Sequence, residues 1–116
     1  VRAVEHPSVD VLGHPTGRLI AEREGLNPDI ERVAVAAAGA GTALEINADP
    51  ARLDLAGELV RVAVDAGATV VVDTDAHAPD ALAYRRYGVH TARRGWCEPD
   101  DLLNARGVDG LEAFLH

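Results

Sequence analysis

The chain has 116 residues, of which 47% are hydrophobic, so it is long enough for one domain with a core but not for two. Its formal net charge is −8 and all 11 of its basic residues are arginine, a balance that argues against long-range attraction to nucleic acid. No apolar run approaches the roughly 18 residues of a membrane-spanning helix, which excludes a helical span.

The first residue is Val1, and no signal-peptide pattern follows it, so we expect a cleaved product or a piece of a longer protein. The single cysteine, Cys97, forms no internal disulfide, which fits a reducing cytoplasm. No histidine lies near it in the sequence, and we interpret it as a packing residue. The acidic, lysine-free composition has two explanations that stay open, a high-GC coding bias and adaptation to high salt.

Strand and helix patterns alternate along the first two thirds of the chain. Short apolar runs predict strands over residues 9–12, 42–46 and 69–72, and residues 19–25 predict a turn of helix. A longer helix is predicted to start at Asn27-Pro28 and to end at Gly39 or Gly41, with Ile30, Val33, Ala34 and Ala37 on its apolar face. Asp54 is predicted to cap a second helix that buries Leu55, Leu59, Val62, Ala63 and Ala66 and stops at Gly67.

The last third of the chain is predicted to be mostly helical. Residues 79–87 predict a helix, residues 88–92 a short extended piece, and residues 108–115 a closing helix. Residues 98–101 are predicted to cap a helix that runs through Leu103 or Ala105. The βαβαβα order with tight connections predicts an α/β fold of parallel strands joined by right-handed crossovers.

Two predicted strands are followed closely by histidine. His14 comes just after the first strand, and Asp75 and His77 come after the third, two residues apart and so on one side of an extended backbone. Imidazoles and a carboxylate suit zinc, manganese or iron, and such a cation activates water for hydrolysis. Alternatively, His14 is an ordinary loop residue and Asp75 only caps the next helix. The position of both histidines beyond strand carboxyl ends favours the metal site.

Further polar residues stand near the same strand ends. Glu45, Asn47 and Asp73 are candidates to hydrogen-bond a ligand or, equally, to form a structural polar network. The arginines Arg18, Arg93 and Arg94 are candidates to bind a substrate phosphate, since the guanidinium fork matches phosphate oxygens.

The segments 13–18, 43–48, 52–55 and 73–77 closely resemble the PHP (polymerase and histidinol phosphatase) domain. Residues 87–89 and 91–96 sharpen the resemblance toward the PHP domain of bacterial and archaeal family X DNA polymerases. The resemblance covers nearly the whole chain, residues 1–116, in the family's order and spacing. It implies the C-terminal part of a distorted, TIM-like (β/α)7 barrel, without the barrel's N-terminal part.

The resemblance also implies a function and a site. In the family, divalent metal ions are bound at the C-terminal face of the barrel, and the ligand positions correspond here to His14, Asp75 and His77. The family's members are phosphoesterases: 3′–5′ exonucleases and 3′-end-processing enzymes of DNA repair, or phosphatases. Arginines at the rim of the site would hold backbone phosphates.

Three interpretations follow from the incomplete match, because a closed barrel needs about 250 residues. The first is a metal-dependent phosphoesterase acting on DNA 3′ ends, which needs the rest of the barrel. The second is a non-catalytic fragment or split subunit that pairs with the missing barrel half or with a second copy through an open sheet edge. The third is a phosphatase of a small phosphorylated metabolite.

Overall fold

The computed structural model describes residues 2–18, 29–74 and 79–115. Within these ranges the chain forms three strands, four α-helices and three short 3₁₀ segments. In chain order the strands and α-helices are β1 Val11–Leu12, α1 Ile30–Ala40, β2 Ala43–Asn47, α2 Gly57–Asp65, β3 Val70–Asp73, α3 Arg85–Arg94 and α4 Val108–Phe114. The 3₁₀ segments are Pro79–Tyr84, Pro99–Asp101 and Leu103–Ala105.

The three strands form one parallel sheet in the order β1-β2-β3, which confirms the α/β class and the parallel strands. Leu44 pairs with Val70, and Asn47 pairs with Asp73, so β2 and β3 end level with each other. The predicted TIM-like barrel goes beyond this sheet and stays a prediction.

Helix α1 follows the sequence prediction closely. Asp29 caps it by accepting a hydrogen bond from the backbone N–H of Arg32, and Gly41 ends it in the left-handed conformation. The four residues predicted to form its apolar face are all buried (Ile30, Val33, Ala34 and Ala37). The predicted start at Asn27-Pro28, and the predicted helical turn 19–25, lie outside the described residues.

The core lies between one face of the sheet and the helices. Leu44, Ile46 and Val70 of the sheet form one cluster with residues of α1, α2 and α3. Because side chains alternate along a strand, Glu45 and Asn47 lie on the opposite face of β2. All five residues of β2 are buried nevertheless, and on that second face Glu45 bonds the main chain of His14.

The prediction that Asp54 caps α2 is wrong. Helix α2 begins only at Gly57, after Ala56, which provides no side-chain cap. Of the predicted apolar residues, Leu55 and Ala63 are buried and Leu59 and Ala66 pack against the core. Val62 is 38% exposed, contrary to the prediction, and Val60 is buried instead. Asp54 instead pairs with Asn47 in an antiparallel bridge, and its carboxylate has long-range partners.

Two further predictions in the last third of the chain are wrong. Residues 88–92 are not extended but belong to α3, where Gly88, Thr91 and Ala92 form the buried face at helical spacing. The helix predicted from residue 98 to residue 105 is two separate 3₁₀ turns, although Glu98 and Asp101 do form the capping arrangement expected at its start.

The outer edge of β3 is covered by the chain itself. The side-chain amide of Asn104 donates to the carbonyl of Val72 and accepts from the N–H of Val72, at 2.9 and 2.6 Å. Leu102 pairs with Val70 in a parallel bridge. This edge therefore carries the hydrogen bonds of a strand neighbour over part of its length. The sequence predicted an open sheet edge without naming the strand, and that expectation stays a prediction.

Candidate functional site

Polar side chains gather at the carboxyl edge of the sheet, where the three parallel strands end. β1 ends at Leu12, two residues before His14, and β2 and β3 end at the paired residues Asn47 and Asp73. Glu45 shares with Asn47 the face of β2 opposite to Leu44 and Ile46 of the core. The structure thus places His14, Glu45, Asn47 and Asp73 at one edge of the sheet.

Glu45 fixes the position of the histidine loop. Its carboxylate Oε1 accepts a hydrogen bond from the backbone N–H of His14 at 2.6 Å and another from the amide of Asn47 at 3.2 Å. Glu45 is only 8% exposed, whereas His14 is exposed and has a left-handed backbone, with φ of 24°. The bond from Glu45 reaches the main chain of His14 and not its imidazole, so the hydrogen bond of Glu45 to a ligand histidine stays a prediction.

Asp54 is the residue of this site that the sequence prediction missed. Its side chain is fully buried, and its carboxylate accepts hydrogen bonds from the backbone N–H groups of Thr16, at 2.9 Å, and Gly17, at 2.8 Å. Asp54 and Glu45 thereby hold the loop 13–18 at two points. Its partners are 37 and 38 residues away in sequence, so no local pattern could have revealed this role.

Arg18 lies at the far end of the same loop. Its guanidinium donates to the backbone carbonyls of Arg52 and Leu53, at 2.6 and 2.5 Å, and Arg52 donates back to the carbonyl of Arg18 at 3.3 Å. These bonds tie the loop after β1 to the loop after β2. They also fix the guanidinium at the rim of the carboxyl edge.

Two of the three predicted substrate arginines line one cavity. Arg18 and Arg94 line a cavity of about 200 Å³, whose other lining residues are Leu53, Ala56, Gly57, Glu58 and Thr91. Arg93 is exposed and is not one of the lining residues. The roles of all three arginines in substrate binding stay predictions.

The predicted metal site depends on residues beyond the described part. Asp75 and His77 lie outside the described residues, so their distance from His14 is not a finding of the structure. Among residues 2–18, 29–74 and 79–115, no group of three or more histidine, cysteine, aspartate or glutamate side chains is arranged to hold a metal ion. The assignment of His14, Asp75 and His77 as ligands stays a prediction.

Cys97 is half-buried against the core, and its backbone N–H donates to the carbonyl of Ala92. Desolvation raises the pKa of its thiol, and the negative charge of Asp101 raises it further. These surroundings fit the predicted packing role, because a nucleophilic cysteine needs a lowered pKa.

We therefore expect Cys97 to react slowly with an alkylating reagent. At pH 8 the raised pKa leaves a smaller fraction of thiolate in the folded chain than in the unfolded chain, and the thiolate is the reactive form. The rate of reaction with iodoacetamide, measured against pH with and without denaturant, should show its midpoint at higher pH in the folded protein. A folded-state midpoint at or below that of the denatured chain would refute the packing role.

None of the helices in the described ranges is long and apolar enough to cross a lipid bilayer. No protein-family model matches the chain. A relative of known name does match it. The chain is 46% identical over 113 residues to the DNA polymerase/3′-5′ exonuclease PolX of Bacillus subtilis (strain 168).

This chain is related to part of PolX. The alignment covers 97% of the chain but 20% of the relative, so the chain spans about a fifth of that enzyme's length. The resemblance to a family X DNA polymerase is thereby supported, whereas the PHP domain itself stays a prediction.

Proposed function

We propose that this chain is part of a PHP-type, metal-dependent phosphoesterase that hydrolyses phosphodiester bonds at DNA 3′ ends. The observation that carries the proposal is the 46% identity, over nearly the whole chain, to an enzyme named as a DNA polymerase and 3′-5′ exonuclease. The gathering of polar side chains at the carboxyl edge of a parallel sheet supports it, since this edge is where α/β folds place their sites.

One proposed donor at this edge, His14, is free to bind a divalent metal ion. Its exposed imidazole makes no hydrogen bond to the described part of the chain, and the bond from Glu45 reaches its main chain and leaves the ring unoccupied. Asp75 and His77 would be the other ligands that this chain supplies, for manganese, zinc or iron. When bound, such a cation acts as a Lewis acid on a phosphoryl oxygen.

The protein's own contribution is to hold the loop 13–18 rigidly. Glu45 and Asp54 together accept backbone hydrogen bonds from three residues of that loop, namely His14, Thr16 and Gly17. The same loop carries Arg18, whose positive charge lies at the rim, where it would attract a phosphate. A single rigid loop would thus fix the distance between a metal ligand and a phosphate-binding cation.

The first experiment measures metal binding. The purified chain is loaded with Mn²⁺ or Zn²⁺, and the bound metal is measured after gel filtration, for the unaltered chain and for His14→Ala. We expect His14→Ala to lower the affinity more than about tenfold, because a direct ligand contributes at least as much as the residues that orient it. His90→Ala, at an exposed position of α3, is the matched control and should bind as the unaltered chain does.

The second experiment separates the three interpretations. The chain, alone and together with the remainder of the PolX barrel, is tested with Mn²⁺ on 3′-recessed DNA and on a small phosphomonoester. Hydrolysis of the DNA supports the proposal, whereas hydrolysis of the small ester alone supports a metabolite phosphatase, which the net charge of −8 favours. If the chain takes up no metal and His14→Ala changes neither metal binding nor hydrolysis, the chain is a non-catalytic fragment or a split subunit.

A further inference from the structure

We propose that the cavity between Arg18 and Arg94 and the exposed indole of Trp96 form one binding site for single-stranded nucleic acid. A backbone phosphate would occupy the cavity and an adjacent unpaired base would stack on the indole. This inference rests on the proposed function, because it names where the DNA strand would lie, but its test needs no hydrolysis.

The lining of the cavity carries a net positive charge, with two arginines and one glutamate. Arg94 makes no hydrogen bond or ion pair with any described residue, and the fork of Arg18 contacts only backbone carbonyls. Arg94 reaches the cavity by crossing the start of α2: a Cβ placed on Gly57 would lie 2.7 Å from Cβ of Arg94. Glu58 also lines the cavity and opposes the two arginines, so it should weaken the binding of an anion.

Trp96 is the only tryptophan of the sequence, yet it lies outside the core and is 76% exposed. It follows the end of α3 with a left-handed backbone, φ of 58°, at a position that glycine usually takes. The backbone N–H of Trp96 donates to the carbonyl of Arg93, and its backbone carbonyl accepts from the guanidinium of Arg61 at 2.9 Å. These two bonds fix the main chain that carries the indole. A large ring is therefore displayed to solvent at a conformational cost.

The cavity and the main chain of Trp96 are both held against α2. The Cβ of Arg94 lies beside Gly57, and the guanidinium of Arg61 donates to the backbone carbonyl of Trp96. Gly57 and Arg61 are four residues apart and so lie on one side of the helix. A cationic groove beside an exposed aromatic ring is the arrangement by which proteins bind single strands without reading their sequence.

The charge distribution favours a short, local contact. Arg18, Arg61, Arg93 and Arg94 concentrate positive charge on a chain whose net charge is −8, although Arg61 is also paired with Asp65 at 2.7 Å. A DNA duplex would bring many of its phosphates close to the acidic rest of the protein. Its bases are also stacked on one another inside the double helix, so none is available to stack on the indole. An unpaired end offers both a phosphate and a free base face, and it is the occupant to which we commit.

The test measures binding of a short oligothymidylate to the whole chain in EDTA, so that metal and hydrolysis play no part. Because Trp96 is the only tryptophan, its fluorescence reports stacking directly, and we expect quenching on addition of the oligonucleotide. Trp96→Gly should lower the affinity, measured by anisotropy, about fivefold or more, the usual contribution of one stacked base. It should keep the thermal midpoint, since glycine suits the left-handed position. A base-free deoxyribose-phosphate oligomer should bind both proteins equally.

The arginines are tested by the salt dependence of the same binding. Arg94→Gln should lower the slope of log affinity against log salt by about 0.7, the value for one phosphate contact on a single strand. Arg32→Gln, the same change at an exposed position of α1, should leave the slope unchanged. Glu58→Gln should raise the affinity, an effect that a misfolded variant would not produce.

Three outcomes would overturn the inference. They are an absence of indole quenching, equal affinities of the unaltered chain and Trp96→Gly for oligothymidylate, and equal slopes for Arg94→Gln and Arg32→Gln. If the strand binds as expected but the chain with the rest of its barrel hydrolyses no DNA, the site stands and the proposed reaction fails. If DNA is hydrolysed but none of these variants alters binding, the reaction stands and this site fails.

Discussion

Asp54→Asn is expected to lower the free energy of unfolding by about 2–3 kcal/mol and to release the histidine loop. The Oδ2 atom of Asp54 accepts from both Thr16 N–H and Gly17 N–H, at 2.9 and 2.8 Å, and Oδ1 lies 3.2 Å from the Thr16 nitrogen. An amide whose oxygen takes the place of Oδ2 still accepts both bonds, but it has no negative charge and turns an N–H₂ group toward the Thr16 N–H. Hydrogen bonds to a charged acceptor contribute about 1.5–3 kcal/mol each and neutral ones about 0.5–1.5 kcal/mol, so two bonds that lose the charge set the magnitude.

Urea unfolding measures the loss, and amide hydrogen exchange at Thr16 and Gly17 shows whether it arises in the loop. Asp65→Asn is the matched control: it removes the same charge from an exposed (i, i+4) pair with Arg61 and should cost less than about 0.5 kcal/mol. If the two variants lose equal stability, the carboxylate of Asp54 does not anchor the loop. If Asp54→Asn also weakens metal binding as His14→Ala does, the loop's rigidity serves the site as well as the fold.

The parts of the fold that sequence periodicity predicts are those that depend on local pattern and burial. The apolar face of α1 and the cores of β2 and β3 have the correct residues, because a helix or strand that buries one face must repeat its apolar positions. The prediction for Asp54 failed for the opposite reason. An aspartate just before a helix resembles a cap, and only the folded chain shows that its partners come from the loop 13–18.

Helix α3 shows how packing overrides local preference. Val89 and Thr91 are β-branched and Gly88 disfavours helix, so the segment suggested an extended piece. In the structure, Gly88, Thr91 and Ala92 are one buried stripe at helical spacing, and small side chains let the helix approach the sheet. The small residues of this segment form the surface that packs against β3. Residues close in sequence could not reveal that β3 is the packing partner.

In the candidate site, too, some features follow from local sequence and others from contacts between distant residues. The sequence correctly predicted that the strands that end near the polar residues of this site are parallel, and parallel strands of one sheet end at one edge. It did not predict that Glu45 bonds the main chain of His14, or that Arg18 and Arg94 line one cavity with Arg93 outside it. Both findings depend on loop conformations, which are set by contacts between distant residues. Together they shift the expected role of Glu45 from tuning a ligand to positioning the loop that carries it.

Gly88→Ala is expected to destabilise the chain by about 1–2 kcal/mol and to displace α3. A Cβ on Gly88 would overlap with Cγ1 of Val72 and lie 2.9 Å from Cβ of Ala48, so α3 would have to move away from the sheet. Such overpacking costs about 1–3 kcal/mol, and the higher helix propensity of alanine offsets at most about 1 kcal/mol of it.

Gly39→Ala supplies the control for Gly88→Ala, because Gly39 lies within α1 and its added Cβ would meet no atom of the described residues within 4 Å. Alanine there gains helix propensity without a clash and should raise the free energy of unfolding by about 0.5–1 kcal/mol. If the glycine-to-alanine change lowers the free energy of unfolding at Gly88 and raises it at Gly39, close packing on the sheet, and not helix propensity, holds α3 in place. A change of the same sign at both positions would contradict the close packing of Gly88. Since Arg94 and Trp96 lie at the end of α3, Gly88→Ala should also weaken oligothymidylate binding, whereas Gly39→Ala should not.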